Sequence, residues 1–369
     1  MSLFRQSRHP LVRWWWEMDR VAVVLVLIIM AIGAVAVASA SVAVAGKYNV
    51  GPYYFAVRHL VFLVVALGLM MAMTVLKPAG MKKIGLVLFA VAYVGTLLTF
   101  VIGVEVKGAK RWIEIAGQSV QPTEFMKAGL IIVTAWLLSS RDKLERWQGY
   151  LASIALMGAV ALPVLLQPNF GMVLALGFVW FAQVFMAGLP LLWLIPLVAL
   201  GLITVVGAYT MLPHVRDRLE RFVNPEGSDT YQVDQAFEAI SSGHIWGRGA
   251  GEGVVKHTLP DAHTDFVFAV IVEEFGIVAG LLIMGLFMGL VWRGFSRLLR
   301  QEDTFTLLAG GGFLTLLALH VAVNIGVSLH VLPTTGMTLP FISYGGSSTL
   351  AMALTVGFLL ALLRKRRLV

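Results

Sequence analysis

The chain has 369 residues, 59% of them hydrophobic and 13% charged, with a formal net charge of +8 and no cysteine. A soluble domain carries about 25% charged residues, so this composition excludes an ordinary water-soluble fold. The missing thiols exclude a disulfide framework, a cysteine nucleophile and a thiolate metal site. The positive balance flanks apolar runs and lacks the aromatic–basic interleaving of a nucleic-acid surface, so no nucleic-acid partner is expected.

Crossing the hydrocarbon core takes about 20 apolar residues in a helix. By that measure helices are predicted at 21–43, 57–76, 82–103, 123–139, 150–166, 170–188, 190–212, 265–292, 305–330 and 345–363, with 123–139 and 150–166 the short ones. The predicted fold class is all-α: one polytopic membrane domain over 1–369 with ten transmembrane helices. The tails are 1–20 and 364–369, and the external loops are 104–122 and 213–264, the larger one between helices 7 and 8.

The N-terminal tail brings Arg5, Arg8, Arg13 and Arg20 to the first helix, whose apolar core is too long for a cleavable signal and is expected to be retained. Trp14, Trp15 and Trp16 suit an aromatic belt at the membrane interface. Further basic residues gather at Lys77, Lys82 and Lys83, at Arg141, Lys143 and Arg146, at Arg293, Arg297 and Arg300, and at Arg364–Arg367. Placing these segments in the cytoplasm puts most of the 28 Lys and Arg there, with both termini.

Residues 104–122 are too polar to span and too patterned for a plain linker. In the fourth helix Glu124 and Lys127 stand at i, i+3, which fits a mutual ion pair or a direct substrate role. The stretch 213–264 is far longer than ordinary connections. Within it Val233, Phe237 and Ile240 fall at helical spacing, predicting a helix on the membrane surface. Gly247, Gly249, Gly251 and Gly253 fit no phosphate-loop pattern and predict tight backbone turns.

That stretch ends in LPDAHTDF, which sets Asp265 at the mouth of the eighth helix with His263 and Thr264 beside it. Two readings stand: Thr264 or Asp265 caps the helix, or Asp265 is a general base where water meets lipid. Glu273 and Glu274 lie about 12–14 Å deeper at 1.5 Å per residue, and they are expected to pair with Lys127 or a neighbouring helix. His320 and Asn324, one turn apart, are expected to hydrogen-bond across the bundle. No metal-ligand spacing occurs, so no protein metal site is expected. A magnesium or manganese ion held by a substrate pyrophosphate needs only one or two carboxylates and stays open.

KGAKRWI (107–113), QPTEFMK (121–127), QPNFG (167–171), LPDAHTDFVFAVIVEEFG (259–276) and NIGVSLHVLPTTGMTLPFISYGGSS (324–348) occur in this order. Together they resemble the SEDS proteins (shape, elongation, division and sporulation), and the last motif is nearer the cell-division branch than the elongation branch. The resemblance implies a ten-helix peptidoglycan glycosyltransferase of the bacterial inner membrane, acting at the division septum. It implies lipid II as substrate, and as partners a single-span class B penicillin-binding transpeptidase and other division proteins. It puts the catalytic carboxylate on Asp265 and a first external site on Lys107, Arg111, Gln121, Glu124 and Lys127. Lys107, Lys110 and Arg111, with Arg216, Arg218, Arg221, Arg248 and Lys256, are then expected to offset the pyrophosphate charge, with His263 and Thr264 also against substrate. Asn169 departs from the Asp that the family often has there; a helix-capping role would survive that change.

Two rival functions use the same features. A lipid II flippase would need polar groups along the whole transverse path, whereas a scaffold recruiting a transpeptidase would not need Asp265.

Overall fold

The computed structural model describes residues 10–106, 108–140, 143–223 and 231–364. Its helices are α1 (Pro10–Glu17), α2 (Arg20–Ala45), α3 (Tyr54–Met73), α4 (Pro78–Ile102), α5 (Pro122–Leu138), α6 (Lys143–Leu166), α7 (Phe170–Met186), α8 (Leu191–Met211), α9 (Pro213–Val223), α10 (Tyr231–Ser242), α11 (Val267–Leu298), α12 (Thr304–Ser328) and α13 (Gly346–Leu362). Ten of these coincide with the ten apolar runs. By length and composition six of them, among the described residues, are able to cross a membrane: α2, α3, α4, α6, α11 and α12. The apolar stretches Phe170–Met186, Ile195–Met211 and Gly346–Leu362 are shorter.

The short helices are short because of where they sit. Most of α5 and most of α13 are buried among other helices, so protein rather than lipid sets their length. Around them the apolar core falls into three clusters, one on α2, α3, α11 and α13, one on α5, α12 and α13, and one on α4 to α7.

The all-α expectation needs one addition. Three short strands form a small antiparallel sheet, β1 (Val104–Val106), β2 (Ala109–Ile115) and β3 (Gln118–Val120), in the order β1-β2-β3. Ala116 (φ 50) and Gly117 (φ 72) make the two-residue turn between β2 and β3, the left-handed geometry that matches strand twist.

At the basic end of the bundle, Asp19 accepts from Ala22 N at the start of α2 and meets Arg293 and Arg297 of α11 at 2.8 Å. Arg364 pairs with Glu17 at 2.5 Å, and Trp14 Nε1 donates to Thr74 Oγ1 at 2.9 Å. Trp15 and Trp16 are exposed, as a belt requires, while Trp14 is held within the protein.

In the long loop, α10 lies on α11. It buries Ala236, Ala239 and Ile240 against the protein core and leaves Phe237 of the predicted stripe exposed.

Candidate active site

LPDAHTDF folds into a compact turn because Asp261 takes a left-handed conformation (φ 52). Its carbonyl accepts from Thr264 N (3.0 Å), Thr264 Oγ1 (3.1 Å) and Phe266 N (3.4 Å). Phe266 occupies the N-cap position of α11, so the capping place anticipated for Thr264 or Asp265 is taken by an apolar residue.

Three elements hold this turn. His263 is buried among aromatic rings, 4.4 Å from Phe55 of α3 and 5.4 Å from Tyr344, and its carbonyl accepts from Tyr344 N at 2.8 Å. From α12, Asn324 Nδ2 donates to the carbonyls of Asp265 and Met337, each at 2.9 Å. Burial lowers the His263 pKa to about 4, so its ring is neutral at physiological pH. Burial also raises the Tyr344 phenol, and nearby Arg58 opposes that rise.

Asp265 opens onto a cavity of about 870 Å³ between the sheet, the long loop and the N-terminal ends of α5, α7 and α13. Of the predicted residues, Arg111, Gln121, Glu124, Thr264 and Asp265 line it together. Arg58, Gln118, Asn169, Asp261, Tyr344, Ser347 and Ser348 complete much of its polar wall. Arg111 Nε donates to Gln167 O at 2.9 Å, and its guanidinium also bonds Pro168 O, tying β2 to the turn before α7. Arg58 bonds Gln118 and, at 2.5 Å, the Tyr54 hydroxyl. Asn169 begins α7, but its side chain caps nothing, so the surviving capping role anticipated for it is absent.

Behind the wall lies a buried polar chain. Lys127, only 2% exposed, donates to Glu124 Oε2 at 2.8 Å and stands 3.0 Å from His320 Nε2. An ammonium can only donate. His320 Nε2 therefore accepts, and its Nδ1–H points to Thr338 O at 3.2 Å. The i, i+3 ion pair is present, and both His320 and Asn324 bridge across the bundle.

Other expected contacts lie elsewhere. Lys110 is exposed on β2 away from the cavity, Arg216 pairs with Glu220 at 2.7 Å, and exposed Arg248 donates to Ser242 O at 3.3 Å. Lys256 is 2% exposed and paired with Glu274. Glu274 thus pairs with Lys256 of the loop and accepts from Ser39 of the neighbouring α2, not with Lys127. Lys107 and the side chains of Arg218 and Arg221 lie outside the described residues. Among the described residues no group of three or more His, Asp or Glu is placed to hold a metal.

A family model described as cell cycle protein, covering FtsW, RodA and SpoVE, matches residues 19–368. The chain belongs to the SEDS family. A relative from Caulobacter vibrioides, named probable peptidoglycan glycosyltransferase FtsW, is 37% identical over 98% of this chain and 93% of its own. A chain of a peptidoglycan synthase complex, described as coordinating polymerization and crosslinking, superposes with TM-score 0.76 and 31% identity over 95% of this chain and 99% of its own. Thermus thermophilus RodA, the rod shape determining protein, matches with TM-score 0.71 and 29% identity, over 96% and 99% of the two chains. Family membership thus agrees with the fold as well as with the five motifs.

Proposed function

We propose that this SEDS protein is a peptidoglycan glycosyltransferase that polymerises lipid II into septal glycan strands during division. One observation carries the reading: one cavity is lined by Asp265 together with Arg58 and Arg111. Such a site suits a substrate with a polyprenyl tail for lipid and a disaccharide–pentapeptide on a pyrophosphate for water. In this reading all ten apolar helices cross the inner membrane, both termini are cytoplasmic, and the sheet and long loop are external.

Asp265 removes the proton from the 4-hydroxyl of the acceptor sugar. That oxygen bonds to the anomeric carbon of the lipid-linked chain, whose bond to the pyrophosphate breaks with inversion. Arg58 and Arg111 offset the charge on the departing polyprenyl diphosphate. The carboxylates of Asp261 and Asp265 are oxygen donors that fit a magnesium or manganese ion carried on the pyrophosphate. When bound, such an ion would neutralise the leaving group.

The association of a similar chain with a synthase complex supports a crosslinking, single-span transpeptidase as partner. The flippase reading is less well supported, because at the opposite end Asp19 is paired with Arg293 and Arg297 and Glu17 with Arg364. The test is polymerisation of labelled lipid II by the purified chain. Asp265→Asn should lower the rate by about 10²–10⁴-fold, the usual contribution of a general base. Normal glycan from that variant would refute the assignment, and translocation without polymer would favour the flippase.

A further inference from the structure

α11 is not continuous. Gly276 (φ 81, ψ 174) breaks it within a run long enough to cross a bilayer. A helix broken at that depth leaves peptide groups that need new partners. A segment of the long loop supplies them. Arg248 N donates to Glu273 O (2.9 Å) and Gly249 N to Glu274 O (3.0 Å), while Ile277 N and Val278 N donate to His244 O (3.0 Å) and Ile245 O (3.4 Å). The fit is backbone on backbone: a Cβ at Gly247 would lie 2.1 Å from Glu274 O, and one at Gly276 2.1 Å from Ile245 O.

Two buried carboxylates fasten the same loop. Glu273 Oε1 accepts from Val254 N and Val255 N, each at 2.7 Å, and its Oε2 accepts from Lys256 N at 3.0 Å. Lys256 Nζ bonds the Glu274 carboxylate, Ser39 Oγ (3.1 Å) and Gly251 O (3.0 Å), and Ser39 donates to Glu274 at 2.5 Å. Neither carboxylate lines the cavity. The Glu273 bonds close residues 254–273 into a ring of chain with Asp265 near its middle.

We propose that Glu273, Glu274 and Lys256 are positioning residues that fix where Asp265 stands by strapping its loop into the break of α11. This rests on the assignment of Asp265 as base. A displacement of about 1 Å at a reacting group lowers a rate on the order of a hundredfold, so loosening the strap reduces kcat while leaving KM nearly unchanged.

The test uses the full chain in detergent with lipid II, comparing Glu273→Gln with the parent by steady-state kinetics and amide hydrogen exchange. The variant should exchange the amides of residues 248–256 at least tenfold faster, with kcat down at least tenfold and KM within threefold. Faster exchange with kcat within twofold of the parent would overturn the proposal, and so would lost kcat with those amides still protected. If Glu273→Gln does not accumulate, Lys256→Gln loosens the strap from its other anchor and is judged by the same readouts. Asp265→Asn, run alongside, should leave the amides protected. Full activity in that variant would defeat the base assignment itself, a failure distinct from any result on the strap.

Discussion

Asn324 donates one side-chain hydrogen bond to the carbonyl of Asp265 and another to that of Met337, both at 2.9 Å. One amide therefore joins the turn bearing the proposed base to the segment before α13 that carries Met337. An amide nitrogen has two donors, and here both are spent on carbonyls.

Asn324→Ala should therefore destabilise the protein by about 1–3 kcal/mol, the range for unmade hydrogen bonds to buried carbonyls. Asn324→Asp should be worse, because a carboxylate offers no donor and places its charge against two carbonyl oxygens. Thermal unfolding in detergent measures the first effect, and lipid II polymerisation should fall in parallel.

Lys127 is the cation of a buried network. Lys127→Met strands the Glu124 carboxylate and should cost about 3–5 kcal/mol. Adding Glu124→Gln to it should recover much of that stability without restoring activity, since Glu124 lines the cavity. A double-mutant cycle on melting temperature and rate separates the two effects.

Arg111 spans two successive carbonyls, Gln167 and Pro168, with a planar fork. A lysine ammonium cannot reproduce that geometry. Arg111→Lys should keep the local charge yet raise KM for lipid II several-fold, and Arg111→Ala should raise it further. Equal KM for the lysine variant and the parent would contradict this role.

His263 titrates at about 4 in the folded protein against 6.5 when exposed. Its contribution to loop stability is complete above pH 6.5 and is lost as pH falls toward 4, because the opened state binds the proton first. Loop protection, taken as exchange corrected for its intrinsic pH dependence, should be lower at pH 5 than at pH 7.5 in the parent. In His263→Phe, which keeps the ring against Phe55, the difference should shrink.

Much of this was legible in the sequence, for identifiable reasons. Ten apolar runs became ten helices because hydropathy over a full helix length is a strong signal. The place of Asp265 just before α11 followed from its position at a polar–apolar boundary, and the pairing of Glu124 with Lys127 from helical spacing. The partner of Lys256 was not legible, since a loop that re-enters a broken helix makes contacts unrelated to sequence distance; the spaced glycines marked the turns but not what they turn against. Arg58 was a different kind of miss. It sits beside His59 in an apolar helix, and the insertion cost that drew attention to Glu124 applies equally to it. The sheet was hidden because strands of three and seven residues carry too little alternation to be read with confidence from pattern alone.

The helix that begins at Asp19 is pinned to α11 twice, through Arg293 and Arg297 at one end and through Ser39 and Glu274 at the other. Those anchors are about 30 Å apart at 1.5 Å per residue, roughly one hydrocarbon thickness. Bolted at two such distant points, the two helices are held in one register. A chamber that widens then does so with α2 and α11 travelling as one body.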